Sequence, residues 1–385
     1  MAKQQQLQQR GDHEETQWYE EEVHDDLKFC YTLNSVLHRG TSKYQEIALV
    51  DTKCFGKALI IDGKMQSAEA DEFIYHESLI HPPLLFHPKG SPRPLHQSDA
   101  YGHLINERKG SNKRLFDFHQ AFPERRVSWP DCDLGQGLCL KVMLHKDDCI
   151  ISVLKDGYTS INQMSPTTVY IMGGSEGSAA REALRHKTVQ RVVMCDIDEE
   201  VVHFCRTHLS VNWEAFASDK LCLVINDARA ELEKRREEKF DVIVGDLADP
   251  MEGGPCYQLY TRSFYEQAGP AGVLTHKEVF SSIYNTLRHV FKHVKAYTAH
   301  VPSFADTWGW VMASDHPFTL TAQQINERIT DRIDGELSYL DGETLISSTT
   351  LNKTVFHSLL NETHVYAEDD ARFVHGHGTG RAGHA

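Results

Sequence analysis

From Thr167 onward the chain alternates between two hydrophobic rhythms. Residues 167–172 (TTVYIM), 191–196 (RVVMCD), 221–227 (LCLVIND) and 240–246 (FDVIVGD) are short apolar runs that read as strands. Between them, residues 177–187, 198–209 and 228–239 place apolar side chains at helical spacing. Asp198 and Asp227 stand where helix caps belong. Strands and helices alternating at these lengths predict right-handed crossovers and a parallel, doubly wound α/β sheet.

The flanking regions follow other rhythms. Residues 1–17 are polar and read as a disordered tail. Residues 18–88 predict a small β-rich domain. Its strand candidates are 44–50 and 57–61, with a turn at Gly56 and another at Asp62-Gly63. Residues 70–86 show helical spacing (Phe73, Ile74, Leu79, Ile80) and predict a helix ending at the prolines. Residues 89–166 are turn-rich without a steady period, which predicts a poorly ordered insertion with short strand candidates at 134–144 and 147–154. The main block, 167–320, continues with a helix over 275–291 and strands over 294–301 and 308–315. A helical extension, 321–385, has helices at 321–333 and 355–360 and a Gly/His-rich tail.

In open α/β sheets, ligands sit beyond the carboxyl ends of the strands, so residues delivered there are candidates for a site. The first strand of the block runs into Gly173-Gly174-Ser175-Glu176-Gly177. Such glycines let a ligand approach the backbone, and phosphate is the usual guest. Glu176 would repel phosphate, so the loop suits a nucleoside carrying positive charge. Asp196 follows at the second strand end, placed to accept both ribose hydroxyls. Asp227 and Ala228, after the third, suit an adenine amino group and ring nitrogen. The fourth delivers Asp246 and Asp249, two carboxylates that invite a cationic substrate and can take a proton from an amine. Singly, each acid is also an ordinary cap, turn or surface residue. Their succession at four strand ends favours a site.

Composition narrows the picture slightly. A chain of 385 residues has room for two or three domains. Its net charge of −15 argues against nucleic acid and is compatible with a polycationic ligand, though ordinary solubility explains it as well. Nine cysteines without paired spacing fit a reducing compartment. No apolar signal segment or membrane-length run is present, so a soluble, cytoplasmic protein is expected. Cys132, Cys139, Cys149 and His145 lack the close pairs of a structural zinc site, and no metal is expected.

The segments GGSEGSAARE, VVMCDIDEEVV, NDA and VGDLADP resemble the polyamine aminopropyltransferases, the family of spermidine and spermine synthases. YQEIALVDTKCFGKALIIDGKMQSAEADEFIYHE is similar to that family's N-terminal domain and gate, and EGGPCYQLYTRSFY, QAGPAG and HVPSFADTWGWVMASDHPF resemble its plant thermospermine branch. The resemblance implies a Rossmann-like sheet of the adenosylmethionine-dependent transferase type. It implies aminopropyl transfer from decarboxylated S-adenosylmethionine to spermidine, yielding thermospermine and methylthioadenosine, with no further cofactor. It assigns Gln45, Glu176, Asp196, Asp227 and Ala228 to the donor, Gln66, Tyr75 and Asp249 to the polyamine, and proton transfer to Asp246. His76 and Phe304 lie beside such positions, where packing explains them equally well. A homo-oligomer is the implied assembly.

Three departures keep alternatives open. Ser175 stands where the family has a third glycine, which would strain the turn or cost donor affinity. About eighty residues intervene before the first strand of the regular block, where the family has almost none. A strand of roughly fifteen residues, including its approach, is missing between Glu266 and Gln267. An aberrant splice form or an inactive subunit therefore stands beside the leading reading, as do spermine or spermidine synthesis and a methyltransferase on the same fold.

Overall fold

The computed structural model describes residues 17–24, 27–87, 140–145, 148–153, 165–248, 256–261, 271–272 and 277–367. The chain opens with an antiparallel meander of β1 (Trp18–His24), β2 (Leu27–Thr41), β3 (Glu46–Thr52), β4 (Gly56–Ile61) and β5 (Lys64–Ala68), paired in chain order. The strands anticipated from sequence are β3 and β4, in register from Ile47 opposite Ile61 to Thr52 opposite Gly56. Period-2 alternation sends Val50, Ala58 and Ile60 to one core and Leu49 and Leu59 to another. Asp62 and Gly63 both take positive φ, 48° and 73°, as a tight hairpin between β4 and β5 requires. β2 escaped the sequence reading because irregularities between Leu33 and Ser35 and between Val36 and His38 interrupt its alternation.

Helix α1 (Glu72–Phe86) joins the meander to the rest of the molecule. It does not stop at the prolines, because Pro82 and Pro83 lie inside it. Proline at 82 removes the N–H that would bond the Ser78 carbonyl. Tyr297 Oη donates to that carbonyl at 2.8 Å and replaces the bond that Pro82 removes.

The regular block forms as expected. Strands β8 (Thr168–Gly173), β9 (Arg191–Asp196), β10 (Leu221–Ile225) and β11 (Val242–Asp246) are parallel in the order β10-β9-β8-β11. They alternate with α2 (Ser178–Leu184), α3 (Glu199–His208), α4 (Trp213–Ala217) and α5 (Ala228–Lys234). Both sheet faces are covered, which is why the strands read as continuous apolar runs. Tyr170, Met172 and Val193 pack with Phe240, Phe280 and Ile283. Val169, Ile171 and Met194 pack with Leu79, Ile80 and Leu84 of α1. Asp198 caps α3 through the Glu200 and Val201 amides, and Asp227 caps α5 through the Ala230 amide.

Beyond the block, α6 (Lys277–Arg288) precedes the antiparallel pair β13 (His293–Val301) and β14 (Asp306–Ser314), with short β12 (Ala271–Gly272) on the other edge of β14. Helices α7 (Ala322–Arg332), α8 (Gly342–Ser348) and α9 (Lys353–Asn361) follow. α7 opens on a Thr321–Gln324 capping box. Within the inserted segment, β6 (Leu140–His145) and β7 (Asp148–Val153) form an antiparallel hairpin. Residues 89–139, 146–147 and 154–164 of that segment, both termini and the Glu266–Gln267 junction lie outside the described residues. Among the described residues no pairing joins β11 to β14, so the parallel and antiparallel ladders are separate. No described helix is long and apolar enough to cross a membrane.

Candidate active site

The carboxyl ends of β8, β9 and β11 meet at a floor that depends on glycine. Gly173 sits opposite Asp246 in the β8–β11 register. Its φ is 76°, and a Cβ there would lie 2.1 Å from the Asp246 carbonyl oxygen. Only glycine lets the two strand ends come this close. The Gly174 amide then donates to that same carbonyl at 3.0 Å. The strain anticipated at Ser175 does not arise. Among the described residues only Asp62 and Ala305 combine a side chain with positive φ.

Three of the acids named from sequence converge here. Asp246 ends β11, half-buried, with Tyr75 Oη of α1 donating to its Oδ1 at 3.2 Å. Burial pushes its pKa up to about 6; the His76 cation opposes that rise and Glu176 reinforces it. Asp196 ends β9, buried, and accepts the Asp198 amide at 2.9 Å. Burial lifts it to about 6 as well, with Asp198 and Asp246 adding to the effect. Glu176, on the turn after β8, is buried, and Asn212 Nδ2 fixes its carbonyl at 2.8 Å.

The fourth acid stands apart. Asp227 spends Oδ1 on the α5 cap and Oδ2 on Gln258 Nε2 at 2.9 Å. The neighbouring Ala228 carbonyl accepts Tyr170 Oη at 2.8 Å. Gln45, in the turn before β3, donates to Asp198 Oδ2 at 3.0 Å, and Ser42 bonds the same oxygen. Gln66 on β5 turns its amide to the Lys64 carbonyl at 3.3 Å. Asp249 lies outside the described residues.

A charged chain runs through α1 behind the acids, and sequence reading did not resolve it. His76 Nδ1 is 2.7 Å from Glu72 Oε2, and Nε2 is 3.1 Å from Glu176 Oε1. Arg181 of α2 forks onto both Glu72 oxygens at 2.8 and 2.9 Å. It also meets Glu182 at 2.9 Å and Asn212 at 2.8 Å. Burial alone would strip His76 of its proton, but the carboxylates of Glu176 and Glu72 outweigh it and hold the pKa well above the usual 6.5. Burial likewise works against the Glu72 carboxylate, yet His76 and Arg181 keep it below its ordinary value. Ligand atoms of Glu72, His76 and Glu176 come within 4.8 Å of one another. The positive charge that such an acidic set requires is already supplied by the imidazolium and the guanidinium. The one local signal was the four-residue spacing of Glu72 and His76. Arg181 is 109 residues from Glu72, so only the fold reveals the rest.

An aromatic wall stands on the α1 side of these acids. The Tyr75 ring packs against His76, Phe304 and Trp310, with centroids 4.9, 5.9 and 5.7 Å away. Phe304 also touches the meander's core, so it lies between the two domains. Anions at the floor and π faces on the wall make a surface suited to cations.

Residues 157–323 match the spermine/spermidine synthase domain, and residues 17–69 match the spermidine synthase tetramerisation domain. The chain is 53% identical to thermospermine synthase ACAULIS5 of Arabidopsis thaliana, covering 94% of this chain and 88% of that one. It is 33% identical to a polyamine aminopropyltransferase of Sulfurisphaera tokodaii, covering 88% and 92%. Its fold matches a spermidine synthase crystallised with the transition-state analogue AdoDATO at a TM-score of 0.64 and 20% identity, over 92% of this chain and 99% of that one. The spermidine synthase of Thermotoga maritima matches at 0.62 and 19%, over 92% and 98%.

Proposed function

Because this chain belongs to the spermine/spermidine synthase family, we propose that it transfers the aminopropyl group of decarboxylated S-adenosylmethionine to spermidine, giving thermospermine and methylthioadenosine. The observation that carries this reading is the meeting of Glu176, Asp196 and Asp246 at one sheet edge, beside an aromatic wall. The donor is a sulfonium with a primary ammonium and no carboxylate. Glu176 attracts the ammonium and repels ordinary adenosylmethionine through its carboxylate. Asp196 takes the ribose hydroxyls, and the Asp227–Ala228 backbone takes the adenine, since the Asp227 carboxylate is already bonded. Gln45 acts on the donor through Asp198, the residue it holds. Tyr75, Gln66 and Asp249 line the acceptor's path.

The acceptor amine must lose a proton before it attacks the methylene beside sulfur in line. With a lysine-like pKa this costs roughly 4–5 kcal/mol at pH 7. Asp246 receives the proton. At a pKa of about 6 it is a stronger base than an ordinary Asp and still ionised at neutral pH. The sulfonium is itself an activated leaving group, so the step calls for no metal or redox cofactor.

Residues 17–69 support a homo-oligomer. The N-terminal sheet exposes Trp18, Leu27, Val36 and Leu37, apolar surface of the kind that assembly buries. The buried thiols of Cys195 and Cys205 favour a reducing, cytoplasmic setting.

The test incubates purified protein with spermidine and the decarboxylated donor, then resolves the two tetraamine isomers chromatographically. Thermospermine with stoichiometric methylthioadenosine is expected. Spermine as the sole product would overturn the acceptor orientation, and absence of both would overturn the activity.

A further inference from the structure

Two acceptors face the two ring nitrogens of His76. Glu72 lies at 2.7 Å from Nδ1 and Glu176 at 3.1 Å from Nε2. A neutral imidazole has one N–H, so two carboxylates at these distances favour the doubly protonated ring, the direction in which they shift its pKa. Glu72 is already paired with Arg181, which leaves Glu176 as the partner that can be given up. The geometry at Glu176 is loose. Its Oε1 is buried and near His76, yet it lacks a properly aligned hydrogen bond. A buried carboxylate oxygen held in this way is poised for a better donor.

Resting on the reading that the substrate is an aminopropyl sulfonium, we propose that its ammonium displaces His76 as the counter-ion of Glu176, and that His76 releases its proton to solvent as the donor binds. The exchange balances. One ammonium enters and one proton leaves. The imidazole left behind keeps Nδ1–H on Glu72 and presents a neutral Nε2 to the incoming group. Without this release the site would hold the imidazolium, the ammonium and the sulfonium together, and like charges in a partly buried space repel strongly. His76 therefore serves as a placeholder cation beside Glu176 in the empty enzyme.

The other charged or titratable groups around the ring are Glu72 and Tyr75 of α1, Glu176 of the β8–α2 turn, Arg181 of α2, Asp246 of β11 and, through Glu176, Cys205 of α3. Burial drives the Cys205 thiol well up, so it stays protonated and contributes no charge. Asp196 and Asp246, at about 6, are mostly ionised at pH 7 and release only a small fraction of a proton when a cation arrives. They set the background against which His76 is read.

Calorimetric titration of the decarboxylated donor at pH 7, in buffers of different ionisation enthalpy, counts the protons. Release of most of one proton per donor is expected, against almost none for methylthioadenosine, which shares the nucleoside but has no ammonium. In His76→Gln the donor's release should shrink to the carboxyl background, while methylthioadenosine binding reports that the pocket is still folded. Donor binding by the wild-type protein without release beyond that of methylthioadenosine overturns the proposal and leaves the aminopropyltransferase reading standing. Failure of the donor to bind at all, with no tetraamine formed, strikes that reading instead. The wild-type comparison needs no variant, so an unstable His76→Gln would not rescue the idea.

Discussion

At the residue level, Asp246 combines two demands that pull against each other. A carboxyl whose folded pKa lies above its unfolded value favours the folded state most below about pH 4. That contribution is lost as pH climbs through about 6, so at pH 7 the buried charge costs on the order of 2 kcal/mol. Asp246→Asn should therefore raise the unfolding temperature while slowing transfer at least ~100-fold, with donor affinity largely retained. Calorimetric melting and steady-state kinetics on one preparation check both halves. Activity should also fall below pH 6, as the base becomes protonated. Tyr75→Phe removes the hydrogen bond that holds this pKa down, so the acidic limb of the pH–rate profile should move to higher pH. An unmoved limb would separate Tyr75 from the proton step. Asp246, Asp196 and Glu176 were legible in sequence because strand ends announce themselves. Glu72 and Arg181 were not, since their meaning comes from a partner on another helix.

Among the elements, α1 bears more than its pattern disclosed. It carries Tyr75, His76 and Glu72 toward the site, and Glu77 toward the C-terminal extension. Glu77 is buried and accepts the amides of Ser338, Tyr339 and Leu340 at 2.7, 2.9 and 2.8 Å. Glu77→Ala would orphan three donors, and destabilisation of about 3 kcal/mol is expected in urea unfolding. A change below about 0.5 kcal/mol would mean that the segment finds other acceptors. Helix spacing marked out the span that α1 occupies, but not what lets it run through Pro82, because the compensating hydroxyl of Tyr297 arrives from 219 residues away. The parallel strands were read correctly for the opposite reason: covered on both faces, they are apolar throughout and need no partner to be recognised. β1 and β2 pair along an exposed, irregular surface, and their alternation is blurred.

For the whole molecule, the N-terminal meander faces two ways. On the proposed homo-oligomer, its exposed apolar residues lie at the interface, and Leu37→Asp should lower the mass measured by analytical ultracentrifugation. An unchanged mass would move the interface elsewhere. Its turn reaches the other way, where Ser42 and Gln45 both hold Asp198, the cap that follows the strand of Asp196. The end of β9 is thus fastened from outside the sheet that forms it. On the proposed reading, a substitution in the 42–45 turn, remote from the chemistry, should loosen the Asp198 cap and register as weaker donor binding.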